Sequence, residues 1–129
     1  MSEHTPEENI NPVSLLDMKR VRELRESDDS ERLDVILFDV FRSDGAGELR
    51  QIEEACKNRN PEQLAGHAHK LRGMCANLGM HALCEQLTVV EAEARNTRLS
   101  LNFGSIASDL RILYHRTAEA YEAYLVESR

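Results

Sequence analysis

The chain has 129 residues with 41% hydrophobic side chains, six glycines and three prolines, which is enough for one compact domain with its own core. A formal net charge of −7, with no basic run carrying interleaved aromatics, excludes a surface built to neutralise nucleic-acid phosphates and points to protein partners. Cys56, Cys75 and Cys84 are odd in number and fall at helical core spacings, which fits small buried hydrophobes in a reducing compartment better than a disulfide framework.

The start, Met1-Ser2-Glu3-His4-Thr5-Pro6-Glu7-Glu8, is acidic and polar where a secretory signal would be basic and then hydrophobic. No apolar run is long enough to span a bilayer, so a cytoplasmic protein without a membrane partner is expected. Residues 1–12 contain Pro6 and Pro12 and show no periodicity; they are expected to form a mobile tail, leaving 13–129 as one helical domain.

A short helix is predicted from Asp17 to Glu26, with Met18, Val21 and Leu24 on one face and Arg20, Arg22 and Arg25 in solvent. Ser30 can cap a stronger helix in which Leu33, Ile36, Leu37, Val40 and Phe41 form the apolar stripe. Ser43-Asp44-Gly45-Ala46-Gly47 interrupts it, and Leu49, Ile52 and Cys56 resume it. The phase from Phe41 through Gly45 to Leu49 allows either one helix bent at the glycines or two helices.

Asn60-Pro61-Glu62-Gln63 reads as a helix start: Asn60 caps, Pro61 takes the position where its missing N–H costs nothing, and Gln63 can reach back in a capping box. Leu64, Ala68, Leu71, Cys75 and Leu78 then line the core face, and Gly79 stops the helix. Leu83, Leu87, Val90 and Ala94 define the next helix, Asn96 to Gly104 a loop, and Ser105 can cap a last helix carrying Ile106, Leu110, Leu113, Thr117, Ala120 and Tyr124. No segment alternates as a strand. The fold class is all-α, an antiparallel up-down four-helix bundle with a short accessory N-terminal helix.

At roughly 100° per residue, His69 lies about 140° from the centre of the Leu64–Leu78 stripe and points to solvent. Around it stand Ala65, Gly66, Arg72, Gly73 and Ala76, so apart from the arginine that face is made of very small residues. Each of Gly66 and Gly73 costs about 1 kcal/mol relative to alanine in a helix interior. Either another helix of the bundle packs closely there and His69 is an ordinary surface histidine, or an external partner approaches the backbone. Arg72 tips the reading toward the partner, because one turn from His69 its planar fork of donors suits an anion held on the ring. Gly73, at i+4, removes the side chain that would stand over the same spot.

A metal or haem bundle is disfavoured. His67 and His69 lie about 160° apart around a helix, and no CxxC or Glu-x-x-His pair is present. His67 flanks the core stripe and reads as a packing histidine.

The segment Ala68–Gly79, AHKLRGMCANLG, closely resembles the signature of histidine-containing phosphotransfer (HPt) domains of two-component phosphorelays. The shared features are Ala-His, a basic residue three positions after the histidine, glycine next, and a second glycine ten after the histidine. The apolar stripe ending at Phe41, the Asn60 helix start and the positions of Leu83, Cys84 and Glu91 extend the resemblance over roughly residues 15–125. It implies that His69 is phosphorylated, that Arg72 steadies the phosphoryl oxygens, and that Gly73 clears space, with Ala65, Gly66 and Ala76, for the partner.

The same resemblance implies a phosphoryl carrier acting between receiver domains of response regulators and a hybrid sensor histidine kinase. It implies a monomer with no cofactor of its own and with Mg²⁺ on the partner receiver. No ATP-binding glycine-rich segment is present, so no autokinase activity is expected. Two positions depart from the family: Arg72 where lysine is commoner, and Met74 where a small residue is usual. Around the small-residue face an apolar docking patch is expected, with Leu15, Leu16 and Met18 as candidates for that patch or for the core. The competing reading is a helical adaptor that keeps the bundle and the binding face but carries no phosphate.

Overall fold

The structure is a computed structural model and describes residues 15–26 and 32–127. The expected tail at 1–12 and the expected cap at Ser30 lie outside the described residues. Helix α1 spans Met18–Glu26. The long helix α2 runs through Leu33–Val40, a π-helical turn Phe41–Gly45, and Ala46–Lys57; α3 is Pro61–Leu78, α4 His81–Arg95 and α5 Phe103–Glu127. Contacts join α2 to α3, α3 to α4, α4 to α5 and α5 back to α2, closing a four-helix bundle, while α1 lies against α2 and α3.

Helix α3 starts where the sequence placed it. Asn60 Oδ1 accepts from the Gln63 N–H at 3.0 Å, and Pro61 occupies the first turn. The reciprocal half of the capping box is replaced: the Asn60 N–H donates to Ala55 O at 2.9 Å, so the end of α2 satisfies it in place of the Gln63 side chain. The last helix begins at Phe103, and Asn102 rather than Ser105 is its cap, with Oδ1 accepting from the Ser105 N–H at 3.0 Å. Asn102 takes the role because its backbone carbonyl already accepts from Ile106 N–H, which makes it the residue flanking the first turn.

Between Val40 and Ala46 the chain neither bends into a loop nor breaks. The π-helical turn inserts an extra residue, which carries the buried side of α2 from Asp34, Phe38 and Phe41 on to Gly45, Leu49 and Ile52. Gly45 sits where α2 crosses α3 and α5, and a Cβ there would lie 3.3 Å from Phe41 and 3.4 Å from both Leu71 and the Tyr114 hydroxyl. That hydroxyl donates to Phe41 O at 3.0 Å in the buried interior.

The apolar stripe of the first half of α2 differs from expectation. Phe38 is buried, whereas Ile36 and Val40 are 45% and 40% exposed. Val35 to Phe38 is a continuous apolar run whose phase the sequence leaves ambiguous. The phenyl ring wins the core, because it stacks on Tyr121 at 5.1 Å beside the Phe41–Tyr114 stack at 4.7 Å. Asp34, on the same side, is fully buried and is held by Arg32 through Nε at 3.1 Å and Nη2 at 3.0 Å.

Leu15 and Leu16 are core residues, buried with Val21 and Leu24 of α1, and Met18 packs partly against them. They do not form an exposed docking patch. Arg20, expected in solvent, donates from Nε to Asn77 O at 3.1 Å and so ties α1 to the last turn of α3.

Gly79 closes α3 in the left-handed conformation (φ 76°), with its N–H on Ala76 O and the Met80 N–H on Cys75 O. Its carbonyl accepts from the Asp17 N–H at 2.7 Å. A Cβ at Gly79 would come within 3.1 Å of Arg20 and of the Asp17 carbonyl. Gly79→Ala is therefore expected to destabilise the chain by at least about 1–2 kcal/mol from the backbone conformation alone. Urea unfolding checks this, and an unchanged midpoint would contradict the left-handed conformation at Gly79.

Candidate functional site

Helix α3 buries Leu64, Ala65, Ala68, Leu71, Cys75 and Leu78 and leaves His69, Gly73 and Ala76 exposed. His69 therefore stands on the water side, its side chain 57% exposed. Ala65 is a correction to the expected small-residue face: it is fully buried. Because α3 is packed by α2 on one flank and α4 on the other, its buried face is wider than a single four-three stripe and takes in Ala65. Gly66 is half-buried, and a Cβ built at Gly66 or at Gly73 would meet nothing within 4 Å. Neither glycine is thus required by packing among the described residues. Met74 packs against the core, away from the ring.

The sequence reading did not give Glu91 of α4 a role at the site. Its carboxylate, 14% exposed, lies between α4 and the exposed face of α3, with Oε2 3.1 Å and Oε1 3.3 Å from His69 Nδ1. Arg95, one turn along α4, donates to Oε2 from Nε at 3.1 Å and approaches it through Nη2 at 3.0 Å. Arg72 approaches from α3: its Nη2 is 2.9 Å from His69 Nδ1, and its Nε is 3.3 Å from Glu91 Oε1, an ion-pair contact without hydrogen-bond alignment. The sequence signals for Glu91 were its position within the family resemblance, which assigned it no role, and its place one turn before Arg95, an i,i+4 pair that reads equally well as a solvated surface pair.

Burial alone would push the Glu91 carboxyl up, but the Arg95 hydrogen bond, His69 and the Arg72 charge together hold it below the ordinary glutamate value of 4.5. Arg72 also opposes the rise that burial imposes on the neighbouring Cys84 thiol. Cys56 and Cys75 are buried as expected, while Cys84 is half-buried; all three are free thiols.

His67 turns the other way. Its Nδ1 is 2.6 Å from Glu48 Oε1 of α2, so two histidines two residues apart serve opposite neighbours of α3. Among the described residues no group of three or more His, Cys, Asp or Glu is arranged to hold a metal ion, and no helix is long and apolar enough to cross a membrane. A cleft of about 410 Å³ opens between α1 and the α3–α4 turn, lined by Arg20, Ala76, Met80 and Cys84 among others, but not by His69. The ring stands on open surface, where a partner would have to supply the rest of any reaction chamber.

A family model described as Hpt domain matches residues 36–122, from the first half of α2 to near the end of α5, with His69, Arg72, Gly73 and Glu91 inside the match. No curated protein and no solved structure matches the chain.

Two outcomes are expected from this geometry. Gly73→Ala should stabilise the isolated chain by about 0.5–1 kcal/mol, since alanine is the better helix former and its methyl meets nothing. Loss of stability in thermal melts would mean that the glycine is a packing device after all. For Glu91, a carboxyl with a lowered pKa contributes stability that is present above the ordinary glutamate range and is lost as pH falls through the lowered value. Wild type should therefore lose stability on acidification below about pH 4.5 more steeply than Glu91→Gln, read from melting curves across that range.

Proposed function

We propose, from the premise that this chain belongs to the Hpt domain family and so serves phosphotransfer in two-component signalling, that His69 accepts a phosphoryl group from a receiver-domain aspartate and passes it to another receiver. The observation that carries this reading is an exposed imidazole whose Nδ1 lies within hydrogen-bond distance of Arg72 and of Glu91, while Nε2 has no hydrogen bond to a described residue. Nε2 is then the nitrogen offered to the partner.

The reaction is an in-line displacement in which the Nε2 lone pair forms the N–P bond as the P–O bond to the aspartate breaks and the carboxylate leaves with its electrons. It runs in either direction, because acyl phosphate and phosphohistidine are both energy-rich. Such transfers depend mainly on alignment and charge stabilisation. The acidic pocket and Mg²⁺, which neutralises charge on the phosphoryl oxygens, belong to the receiver. This chain contributes the nucleophile, a guanidinium beside it, and a backbone bared at Gly66 and Gly73 for close approach.

Arg72 stands beside the ring, with Nη2 2.9 Å from Nδ1, placed to meet the oxygens of a phosphoryl group on the imidazole. The chain's partners in this reading are response-regulator receiver domains and a hybrid sensor histidine kinase, and it acts as a cytoplasmic monomeric carrier without autokinase activity. Exposed Ile36 and Val40 on α2, in place of Leu15 and Leu16, supply apolar surface for docking.

The test is transfer from a panel of phosphorylated receiver domains to wild type and to His69→Gln, scoring acid-labile, base-stable phosphate. Phosphate is expected on wild type alone, with the melting free energy of the variant within about 0.5 kcal/mol, as for a surface substitution. Receiver binding without phosphate on wild type would replace this reading with the adaptor.

A further inference from the structure

The nitrogen Nδ1 of His69 has two partners that cannot both be served. It lies 2.9 Å from Arg72 Nη2 and 3.1 Å from Glu91 Oε2. In a neutral imidazole, Nδ1 has a single in-plane position, filled either by a hydrogen or by a lone pair. A guanidinium has only hydrogens to offer and an ionised carboxylate only lone pairs. The bond from Arg72 therefore requires a bare Nδ1, with the ring hydrogen on Nε2. The bond to Glu91 requires the hydrogen on Nδ1, with a bare Nε2. One tautomer has no nucleophilic nitrogen facing the partner, and the other has one.

The surroundings favour Arg72 in the free chain. Its contact is the shorter, and Glu91 is not left bare by it, because Arg95 reaches Oε2 through two nitrogens, at 3.0 and 3.1 Å. Arg72 is nonetheless incompletely satisfied where it sits: its Nε is buried and makes no hydrogen bond, the nearest carboxylate oxygen lying at 3.3 Å out of line. A phosphoryl group arriving at the ring offers three oxygens to that fork, and Gly73 presents no side chain beside it.

We propose that Arg72 is a latch on the ring of His69: bonded to Nδ1 it holds the tautomer whose Nε2 is protonated, and its departure to an incoming phosphoryl group hands Nδ1–H to Glu91 and bares the Nε2 lone pair. This rests on the phosphotransfer reading and assigns Glu91 and Arg95 to it as positioning residues. On release Nε2 gives its proton to water and Nδ1 takes one from water, so the ring's charge is unchanged. Nε2 then forms the N–P bond while the aspartyl P–O bond breaks with its electrons on the carboxylate. The phosphorylated ring is left cationic, with Nδ1–H on Glu91 and Arg72 on the phosphoryl oxygens; Arg95 keeps Glu91 in place throughout.

The latch is tested without any partner. Long-range ¹H–¹⁵N spectra of the labelled full chain, taken at a pH where the ring is neutral, report which nitrogen of His69 carries hydrogen. Wild type is expected to be mainly the Nε2–H tautomer and Arg72→Ala mainly the Nδ1–H tautomer. Arg72→Gln, which keeps much of the stem, repeats the measurement if the alanine variant does not fold. A wild type already in the Nδ1–H form, or a variant with an unchanged tautomer, overturns the latch.

The rate of acylation of His69 by diethyl pyrocarbonate, an uncharged electrophile that gains nothing from an arginine, is the second readout, followed by mass spectrometry of the His69 peptide. It should rise several-fold in Arg72→Ala; an equal or lower rate also overturns the latch. Failure here leaves receiver-to-His69 transfer to stand or fall by its own assay, and a latched ring that takes phosphate from no receiver would sink the transfer reading alone.

Discussion

The buried face of α3 is the constraint from which the rest of the site follows. Leu64, Leu71 and Cys75 are fully buried and fix the rotation of that helix, and a helix is too stiff to rotate one residue without its neighbours. Each fully buried leucine there contributes about 1.5–3 kcal/mol, far more than any surface contact could use to twist the helix. With that face held between α2 and α4, His69 has no course but outward. The same rotation aims His67 at α2 and His69 at α4, so each ring meets a carboxylate from a different neighbour, Glu48 and Glu91. One helix thus sorts two nearly adjacent histidines into a packing residue and an exposed one.

Against this stable frame the exposed face is built from choices that do not favour stability. Gly66 and Gly73 each give up about 1 kcal/mol of helix propensity, and none of the described residues occupies the space their missing side chains leave. Gly45 and Gly79 are different, since neighbouring atoms crowd the first and a positive φ constrains the second. Of the six glycines, Gly45 and Gly79 are thus held by the fold, whereas Gly66 and Gly73 face open space among the described residues. The surplus pair lies on the turns either side of His69.

What could be read from sequence was what local geometry decides. The Asn60 cap, Pro61 and Gly79 bracket α3 through interactions within a turn of themselves, and the outward direction of His69 follows from the period of a single helix. The misread features depend on other helices. Ala65 is buried because α3 is flanked on both sides, and Phe38 displaces Ile36 from the core because Tyr121 of α5 is there to stack on it. The π-helical turn that carries α2 past Gly45 answers to α3 and α5. Glu91 belongs with these, for its place beside His69 depends on a contact across 22 residues of sequence that no periodicity encodes.

The charge at the site runs against the charge of the chain. Arg72 and Arg95 supply two positive charges and Glu91 one negative, so with a neutral ring the cluster carries a net charge of one positive, on a chain whose formal net charge is −7. An approaching anion is repelled by the molecule at a distance and attracted at this spot, which favours encounters in one orientation. Arginine suits position 72 in a way lysine would not. A planar fork can lie against Glu91 through Nε while Nη2 reaches the ring, whereas an ammonium is a single compact charge that must sit on one or the other. The guanidinium thus spans the carboxylate and the imidazole, and the surplus positive charge that this leaves beside His69 is what an incoming phosphoryl group would neutralise.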